Sequence, residues 1–256
     1  MELGLREKVV LVTGASRGIG RAIAEAFADE GCRLCICARG RQTLEEAAGA
    51  LRRRGAEVLA VAADVTQPDQ VERVVQAALE HYGRIDVLVN NVGGSTGAGI
   101  AETSDAEWQQ GLELNLLSSV RMSRAVVPIM KRQGGGAIIM ISSIYGRESG
   151  GRMVYNAAKA AQISLTKAMA RELGGQGIRV NTVAPGSILF PGGGWERRLQ
   201  ADPEGMTRFV QQEMPYGRFG RPEEVASVVV FLASERASLV NGACIPVDGA
   251  QGRSNI

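Results

Sequence analysis

Residues 9–20 read VVLVTGASRGIG, an apolar run that leads directly into a glycine-rich turn and then into a helical pattern. The glycines at positions 14, 18 and 20 permit a tight turn, a close approach of the backbone to a pyrophosphate, and close packing of helix on strand. Free N–H groups at the start of the helix would face the phosphate. Because strand, glycines and helix come in this order, we predict that the turn binds a dinucleotide. Its predicted contacts are Gly14, Ser16, Arg17, Gly18, Ile19 and Gly20.

Six further apolar, β-branched runs follow along the chain. They lie at 33–38, 57–64, 85–91, 136–143, 178–185 and 243–249. Most are nearly continuous in apolar residues, as expected for strands that are covered on both faces, and helical patterns lie between them. This alternation predicts an α/β fold of the Rossmann type, a doubly wound parallel sheet with helices on both faces. We expect one nucleotide-binding and catalytic domain over residues 1–256.

The region 187–220 does not fit this alternation. It begins SILFPGGGWERR and continues with amphipathic helical pieces. A long insertion after a strand is either a mobile lid over a pocket or a tolerated surface excursion. We expect a substrate lid, because the insertion follows the C-terminal end of a strand, where open α/β sheets bind ligands.

The overall charge of the chain is close to balanced. Its 256 residues include 29 Lys and Arg against 27 Asp and Glu, a net charge of +2. Such a charge gives no field strong enough to indicate nucleic acid or an anionic membrane as a partner. The N-terminal apolar run is four residues long, too short for a signal peptide or a membrane span. We therefore expect a cytoplasmic protein that binds small molecules or copies of itself.

The cysteines and the one histidine do not form a metal-binding pattern. Cys32, Cys35 and Cys37 lie together in CRLCICAR, but Cys244 and His81 are far away in the sequence. A structural metal site needs further ligands at close spacing. We predict no metal, and interpret the three cysteines as buried thiols of a reduced cytosolic protein. The histidine is expected to be a solvated residue at a helix end.

The second apolar run ends in CAR, so Arg39 occupies the position at which an acidic residue would bind a free ribose 2′-hydroxyl. An arginine cannot accept that hydrogen bond, but its fork of donors can hold a 2′-phosphate. Arg17 adds a second positive charge to the same corner. We therefore predict NADPH as the cofactor, with NADH as the alternative. If these arginines do not bind the cofactor, they are solvated residues of the protein surface.

Two tyrosines follow the run 136–143, but only one has a lysine at helical spacing. Tyr155 has Lys159 four residues later, on the same face of a helix, whereas Tyr145 has Ser149 there. Tyrosine has an unperturbed pKa of about 10, so it needs a nearby positive charge to make its phenolate accessible. Carbonyl reduction requires a hydride and a proton donor held at the developing alkoxide. We predict that Tyr155 and Lys159 are catalytic.

Several segments together resemble the short-chain dehydrogenase/reductase family, in particular its branch of 3-oxoacyl-acyl-carrier-protein reductases. They are TGASRGIG at 13–20, Asp64-Val65, NNVG at 90–93, Asn115, ISS at 141–143, YNAAK at 155–159 and VNTVAPG at 180–186. The resemblance covers essentially the whole chain. It implies seven parallel strands in a doubly wound sheet, a nicotinamide cofactor, a carbonyl or alcohol substrate, and a homotetramer.

The resemblance also implies further cofactor contacts. Two residues would contact the adenine, a loop would lie against the adenosine ribose, and a later segment would form the wall beside the nicotinamide. The adenine contacts would be Asp64 and Val65, and the ribose loop would be Asn91 to Gly93. The wall beside the nicotinamide would be formed by Pro185, Gly186 and Ile188. Val92 departs from the alanine that is more common in the family, a change of little effect because the backbone of this loop makes the contact.

In the family that the chain resembles, the lysine (here Lys159) holds the nicotinamide ribose, the tyrosine (Tyr155) donates the proton, and an asparagine (Asn115) anchors a water chain. The alternative for Asn115 is a mid-helix polar residue bonded locally. A serine also hydrogen-bonds the substrate oxygen. The usual spacing of thirteen residues to the tyrosine indicates Ser142, whereas the pattern I-S-S-x-x-G indicates Ser143. We predict Ser143, because the loop before the tyrosine tolerates a deletion better than a strand end does.

These features favour an NADPH-dependent enzyme that reduces a ketone or aldehyde to an alcohol. One alternative is an alcohol dehydrogenase that uses the same site in the oxidative direction. The other is a protein without catalytic activity, either a nucleotide-binding sensor or a structural subunit. A 3-oxoacyl thioester is one candidate substrate, since Lys131 and Arg132 would suit an acidic carrier protein. Gln176 stands where a basic residue would have helped such docking.

Overall fold

The computed structural model describes residues 2–255, and its centre is a single parallel sheet of seven strands. The strands are β1 (Val9–Thr13), β2 (Arg33–Ala38), β3 (Val58–Ala62), β4 (Val87–Asn90), β5 (Gly136–Ile141), β6 (Ile178–Pro185) and β7 (Cys244–Val247). Their order across the sheet is β3-β2-β1-β4-β5-β6-β7. The predicted α/β fold with a doubly wound sheet of seven parallel strands is confirmed.

Nine α-helices lie within residues 2–255. They are α1 (Gly18–Asp29), α2 (Arg41–Arg53), α3 (Pro68–Tyr82), α4 (Asp105–Leu112), α5 (Ser118–Arg132), α6 (Met153–Leu173), α7 (Gly194–Ala201), α8 (Pro203–Glu213) and α9 (Pro222–Ala233). A π-helical turn over Glu113–Leu117 joins α4 to α5. Pro68 and Pro222 occupy the first positions of α3 and α9, where a missing N–H costs no helical hydrogen bond.

Each face of the sheet is covered by its own hydrophobic core. One core contains Phe27 of α1, Leu44 of α2 and Val229 of α9. The other contains Val74 of α3 and members of α5 and α6, such as Met122 and Leu173. Because both faces are covered, β1 and β4 are buried throughout, which explains their continuous apolar sequences.

The insertion 187–220 leaves the sheet after β6 and returns just before α9. The N–H of Leu189 donates to the Gly220 carbonyl at 2.9 Å, and the N–H of Gly220 donates to the Ser187 carbonyl at 3.0 Å. These two bonds join the ends of the insertion in a narrow neck. Its two helices, α7 and α8, contribute no buried residue. Among residues 2–255, no helix is long and apolar enough to cross a membrane.

Candidate active site

One large cavity opens at the carboxyl ends of the strands, with a volume of about 1090 Å³. Open parallel sheets bind their ligands at this edge. Fifteen of the predicted site residues line the cavity. They are Gly14, Ser16, Arg17, Ile19, Gly20, Arg39, Asp64, Val65, Asn91, Gly93, Ser143, Tyr155, Lys159, Pro185 and Gly186. The structure therefore brings the glycine turn and the Tyr–Lys pair into the same cavity, from stretches more than 130 residues apart.

The glycine turn is shaped by close backbone contacts. Gly14 has a φ of +67°, in the left-handed region that favours glycine. A Cβ at Gly20 would lie 2.4 Å from both the Gly14 carbonyl oxygen and the Asn91 side-chain nitrogen. That nitrogen donates to the carbonyls of Thr13 and Gly14, at 3.0 and 3.2 Å. Asn91, in the loop after β4, thus fixes the conformation of the turn, and a side chain at position 20 would clash with both.

Two of the predicted residues lie behind the wall of the cavity. Gly18 is covered by the Phe190 ring, which would lie 2.6 Å from a Cβ at that position. Ile188 is only 5% exposed and packs into the core beside Gly220. The wall after β6 is instead formed by Pro185, Gly186 and Ser187. Gly18 and Ile188 therefore do not line the cavity, and their cofactor contacts stay predictions.

The adenosine end of the predicted site carries unpaired positive charge. Arg39 is exposed at the end of β2, and its side chain has no hydrogen-bond or ion-pair partner within residues 2–255. Arg17 donates to the Gly192 carbonyl of the insertion at 3.2 Å. The Asp64 carboxylate accepts from the N–H and the hydroxyl of Thr66, at 3.0 and 2.8 Å. The aspartate is thus held locally, and Arg39 stays free to bind an anion.

The two serines at the end of β5 have different partners. The Ser143 hydroxyl accepts from the Tyr145 N–H at 3.2 Å, and its influence lowers the pKa of the Tyr155 phenol. The Ser142 hydroxyl donates to the backbone carbonyl of Lys159 at 3.0 Å and is buried. Of the two serines, only Ser143 lines the cavity without its hydroxyl proton being given to the backbone, and only Ser143 acts on the predicted proton donor.

Burial dominates the acidity of Tyr155. It raises the pKa of this phenol above its usual value, while the influence of Ser143 opposes the rise. The Lys159 ammonium nitrogen lies 5.7 Å from the centroid of the Tyr155 ring. Lys159 therefore lies beside the tyrosine, as the spacing predicts, but the pKa shift of Tyr155 is not governed by it.

Lys159 is almost completely enclosed, with 2% of its surface exposed. Its ammonium donates to the Ile141 carbonyl at 2.8 Å and to the Gln162 side-chain oxygen at 3.2 Å. Its bonded partners include no carboxylate, and burial lowers the pKa of Lys159 to about 7. Burial thus disfavours the charged form of this lysine, which weakens its field at Tyr155.

Asn115 is buried in the π-helical turn and does not line the cavity. Its side chain accepts from the Gly94 N–H at 2.8 Å and donates to the carbonyls of Gly94 and Gly111, each at 2.9 Å. A Cβ at Gly93 would lie 2.9 Å from Asn115 Oδ1 and 3.1 Å from Lys159 Nζ. Asn115 thus ties the helix to the loop after β4, right beside Lys159. One of its bonds is local, to Gly111, and the others cross to the loop.

Several residues that line the cavity had no predicted role in binding or catalysis, among them Tyr145, Arg152, Trp195 and Arg198. Tyr145 lies on a single helical turn that follows Ser143, Arg152 precedes α6, and the last two lie on α7. For Trp195 and Arg198 the sequence offered one signal, their place in an insertion predicted to be a lid. The others could be recognised only once β5, α6 and the insertion were brought together.

The cysteines lie in or beside the core. Burial raises the pKa of Cys37 to about 12 and also raises the pKa of Cys35, both on β2. Such thiols are poor nucleophiles. Within residues 2–255, no group of His, Cys, Asp and Glu side chains could hold a metal ion. His81 is exposed in the last turn of α3, 3.5 Å from Glu57, and does not line the cavity.

Comparison with known proteins supports the same conclusion as the site geometry. A family model described as Enoyl-(Acyl carrier protein) reductase matches residues 14–250. The chain is 38% identical to the 3-oxoacyl-acyl-carrier-protein reductase FabG of Thermotoga maritima over 246 residues, which are 96% of this chain and 98% of that protein. It is 37% identical to the short-chain reductase protein NovJ of Streptomyces niveus over 247 residues, 96% of this chain and 94% of that protein.

A solved structure resembles the whole fold. L-sorbose reductase from Gluconobacter frateurii, complexed with NADPH and L-sorbose, superposes with a TM-score of 0.94 at 38% identity, covering 99% of this chain and 100% of that one. Fold, motifs and relatives therefore agree over nearly the full length. The chain belongs to the short-chain dehydrogenase/reductase family and is an NAD(P)-dependent oxidoreductase.

Proposed function

We propose that the protein uses NADPH to reduce a ketone or aldehyde to an alcohol, with Tyr155 as the proton donor. The observation that carries this proposal is the meeting of Tyr155, Ser143 and Lys159 in the cavity that the glycine turn also lines. A carbonyl reductase is also what the relatives suggest, since FabG, NovJ and L-sorbose reductase are all named as reductases.

The residues of the cavity fit a phosphorylated dinucleotide. The backbone of Gly14 to Gly20 would hold the pyrophosphate at the start of α1, and Arg17 and Arg39 would hold a 2′-phosphate, because neither has a carboxylate partner within residues 2–255. Asp64, Val65, Asn91 and Gly93 would contact the adenosine. Lys159, Pro185 and Gly186 would lie at the nicotinamide end. When bound, NADPH supplies the hydride.

The chain's own groups then handle the substrate oxygen. The Ser143 hydroxyl, oriented by the Tyr145 N–H, would hydrogen-bond that oxygen beside Tyr155. The phenol of Tyr155 would donate its proton as the alkoxide develops. Its raised pKa keeps Tyr155 protonated at neutral pH, as a proton donor must be. Asn115 would act indirectly, by holding the loop at Gly94 and the surroundings of Lys159.

We also propose that residues 1–256 form one domain in which 187–220 serves as a lid. The insertion touches the glycine turn through Arg17 and Phe190, and Trp195 lines the cavity from it. Both ends of a lid must stay attached while its helices move, and the hydrogen-bonded neck provides that attachment. The cytoplasmic location and the homotetramer remain predictions.

The test is a screen of ketones, sugars and acyl thioesters with purified protein, read by loss of NADPH absorbance. We expect turnover with NADPH and at least about tenfold lower kcat/KM with NADH, since a 2′-phosphate gains charge-assisted hydrogen bonds. Tyr155→Phe should lower kcat by about 10²- to 10⁴-fold and still bind NADPH. The exposed Tyr216→Phe is the control. Reduction by Tyr155→Phe at the parent rate would refute the assignment.

A further inference from the structure

Two cavity arginines near Tyr155 have no part in the function proposed above. Arg152 lies three residues before Tyr155, at the start of α6, and Arg198 lies on α7 of the insertion. Within residues 2–255, neither side chain has a hydrogen bond or an ion pair. Arginine binds carboxylates and phosphates with paired donors. Both side chains are exposed at the cavity, so their donors are open to an anionic ligand that enters it.

These arginines lie at the chemical end of the cavity and not at the adenosine end. Arg39 follows β2, whereas Ser143 and Tyr155 follow β5, and the sheet order sets β1 and β4 between these strands. Three strand spacings of about 4.8 Å separate the two positions by roughly 14 Å. Arg17 and Arg39 would thus be engaged by the cofactor, and a different anion is needed for Arg152 and Arg198.

Arg198 is held by an aromatic stack that leaves its donors free. Its guanidinium carbon lies 4.8 Å from the centroid of the Trp195 ring, and that ring stacks on Phe209 at 5.0 Å. Stacking uses the flat face of a guanidinium, while its N–H groups point outward in the plane. The positive charge of Arg198 also acts on Tyr145, which in turn neighbours Tyr155. Arg198 is therefore held by stacking on Trp195, and its charge acts on Tyr145, a neighbour of the proposed reaction centre.

Nearby carboxylates do not neutralise these arginines. Glu213 pairs with Arg253 at 2.9 Å, and Glu148 accepts from the Arg253 N–H at 2.6 Å. The residues that line the cavity include four arginines and Lys159, against Asp64 as the one acidic side chain among those described. The lining of the cavity also includes apolar side chains: Leu114, Met153, Phe190 and Trp195. A fitting ligand thus combines an apolar body with a negative group.

We infer that the substrate is a ketone or aldehyde bearing a carboxylate or phosphate group, which Arg152 and Arg198 bind while its carbonyl meets Ser143 and Tyr155. This inference rests on the proposed reductase function. No side chain caps the first turn of α6, whose residues Met153 and Tyr155 line the cavity, and its N–H groups would add to the binding of an anion there. Arg198 would reach the ligand only with the insertion in place, so the proposed lid would also select the substrate.

The experiment compares pairs of substrates in which one member carries an anionic group and the other is neutral. Levulinate is paired with its methyl ester to test a carboxylate, and dihydroxyacetone phosphate with dihydroxyacetone to test a phosphate. With NADPH saturating, we expect kcat/KM to be at least about tenfold higher for the anionic member of one pair, the size expected for a charge-assisted bidentate contact. Added salt should reduce this ratio.

Three variants separate direct binding from a general charge effect. Arg152→Gln and Arg198→Gln should each lower the anionic-to-neutral ratio about tenfold, mainly through KM. Arg197→Gln removes the same charge from the neighbouring position of α7, outside the cavity, and should leave the ratio within about twofold of the parent. Thermal unfolding of each variant checks its fold, and the Kd for NADPH checks whether the arginines serve the cofactor instead.

The outcomes distinguish the inference from the proposed function. Three results would each overturn the inference. The first is a kcat/KM for both anionic substrates that is equal to or lower than that of their neutral partners. The second is an effect of Arg197→Gln as large as that of Arg198→Gln, and the third is weaker NADPH binding by the variants with no change in the anionic-to-neutral ratio. If no carbonyl is reduced, the proposed function fails instead. In that case, the inference is tested by the binding of levulinate to the NADPH-loaded protein, measured from Trp195 fluorescence in a Trp108→Phe background. Saturable binding that Arg198→Gln weakens supports the inference, and no binding refutes it.

Discussion

Ser142 and Ser143 are adjacent at the end of β5, yet their hydroxyl groups make different hydrogen bonds. Ser142 donates to the Lys159 carbonyl and is 4% exposed, so it fastens α6 to the sheet. Ser143 accepts from the Tyr145 N–H and acts on the Tyr155 phenol. The hydroxyl proton of Ser143 is therefore available for a substrate oxygen, and that of Ser142 is not.

We predict that the alanine variant of one serine loses mainly turnover and that of the other loses mainly stability. Ser143→Ala should lower kcat by about 10²- to 10³-fold, since it removes a donor to the reacting oxygen. Ser142→Ala should keep most of its turnover but lose about 1 kcal/mol in the free energy of unfolding, the value of a neutral hydrogen bond. NADPH consumption and urea denaturation measure the two effects. A greater loss of turnover in Ser142→Ala would reverse the assignment.

A second prediction concerns the burial of Lys159. Its pKa in the folded protein is about 7, whereas a lysine in the unfolded chain has a pKa of about 10.4. Between these values the unfolded chain binds more protons, so the free energy of unfolding rises with pH, by up to about 1.4 kcal/mol per pH unit. Below about pH 7 both states bind the proton, and the cost of burying the charge is paid in full.

This pH dependence can be isolated by substitution. Lys159→Met removes the titrating group, so wild type should gain stability relative to this variant as the pH is raised from about 7 to about 9. Urea unfolding across that range measures the difference. The exposed Lys131→Met is the control for losing one lysine, and its difference from wild type should stay constant. A constant difference for Lys159→Met as well would mean that Lys159 keeps an ordinary pKa when folded.

Helical spacing could predict the pairing of Tyr155 and Lys159 but not the electrostatics of that pair. An i, i+4 separation fixes two side chains on one face, and both do line one cavity. The depressed pKa of Lys159 comes from its burial, and its bonded partners, Ile141 and Gln162, are both uncharged. Gln162 lies on the same face of α6, one turn on, but the Ile141 carbonyl and the enclosure of the site come from β5 and the packed sheet, which no local pattern encodes.

At the scale of elements, the insertion differs from every other part of the fold. Neither α7 nor α8 buries a residue, whereas α9, directly after them, buries seven of its twelve. Segments with few buried contacts open at low free energy. Trp195 of α7 packs on Phe209 of α8 at 5.0 Å, so the two helices are expected to move together.

We predict that ligands order this insertion. Amide hydrogen exchange over 194–213 should be fast in the free protein and slow at least about tenfold when NADPH and a reducible ketone analogue are both bound, because the lid then gains contacts over the cavity. Exchange in α9 should hardly change, which makes it an internal reference. Equal protection of α7, α8 and α9 before ligand is added would show that the insertion is a fixed surface excursion.

The elements were predictable from sequence to different degrees. The seven apolar runs correspond to β1 to β7. In inner strands such as β1 and β5 this follows from burial, because a strand covered on both faces needs apolar residues at nearly every position. The course of the insertion was not predictable, since its neck depends on backbone bonds between Ser187, Leu189 and Gly220. For the same reason Arg198 could not be assigned to the cavity, although the strand-end residue Arg39 could.

At the scale of the whole molecule, exposed apolar groups remain near the C-terminal strand. Leu239, in the segment before β7, is 96% exposed, and Phe231 on α9 is 37% exposed. β7 is an outer strand of the sheet and contains Pro246, which has no N–H to offer to a further strand. Association through this region would therefore use side chains more than strand pairing.

We predict that the chain forms a homotetramer in which Phe231 and Leu239 lie at an interface. Light scattering at micromolar concentration should give four times the chain mass of 27.1 kDa. The double variant Phe231→Glu, Leu239→Glu should dissociate to dimers or monomers, because burying two unpaired carboxylates costs several kcal/mol each. Ile100→Glu is the control, since Ile100 is also exposed, at 68%, but lies in the loop after β4. A monomeric wild type, or a tetramer that survives the double substitution, would contradict this interface.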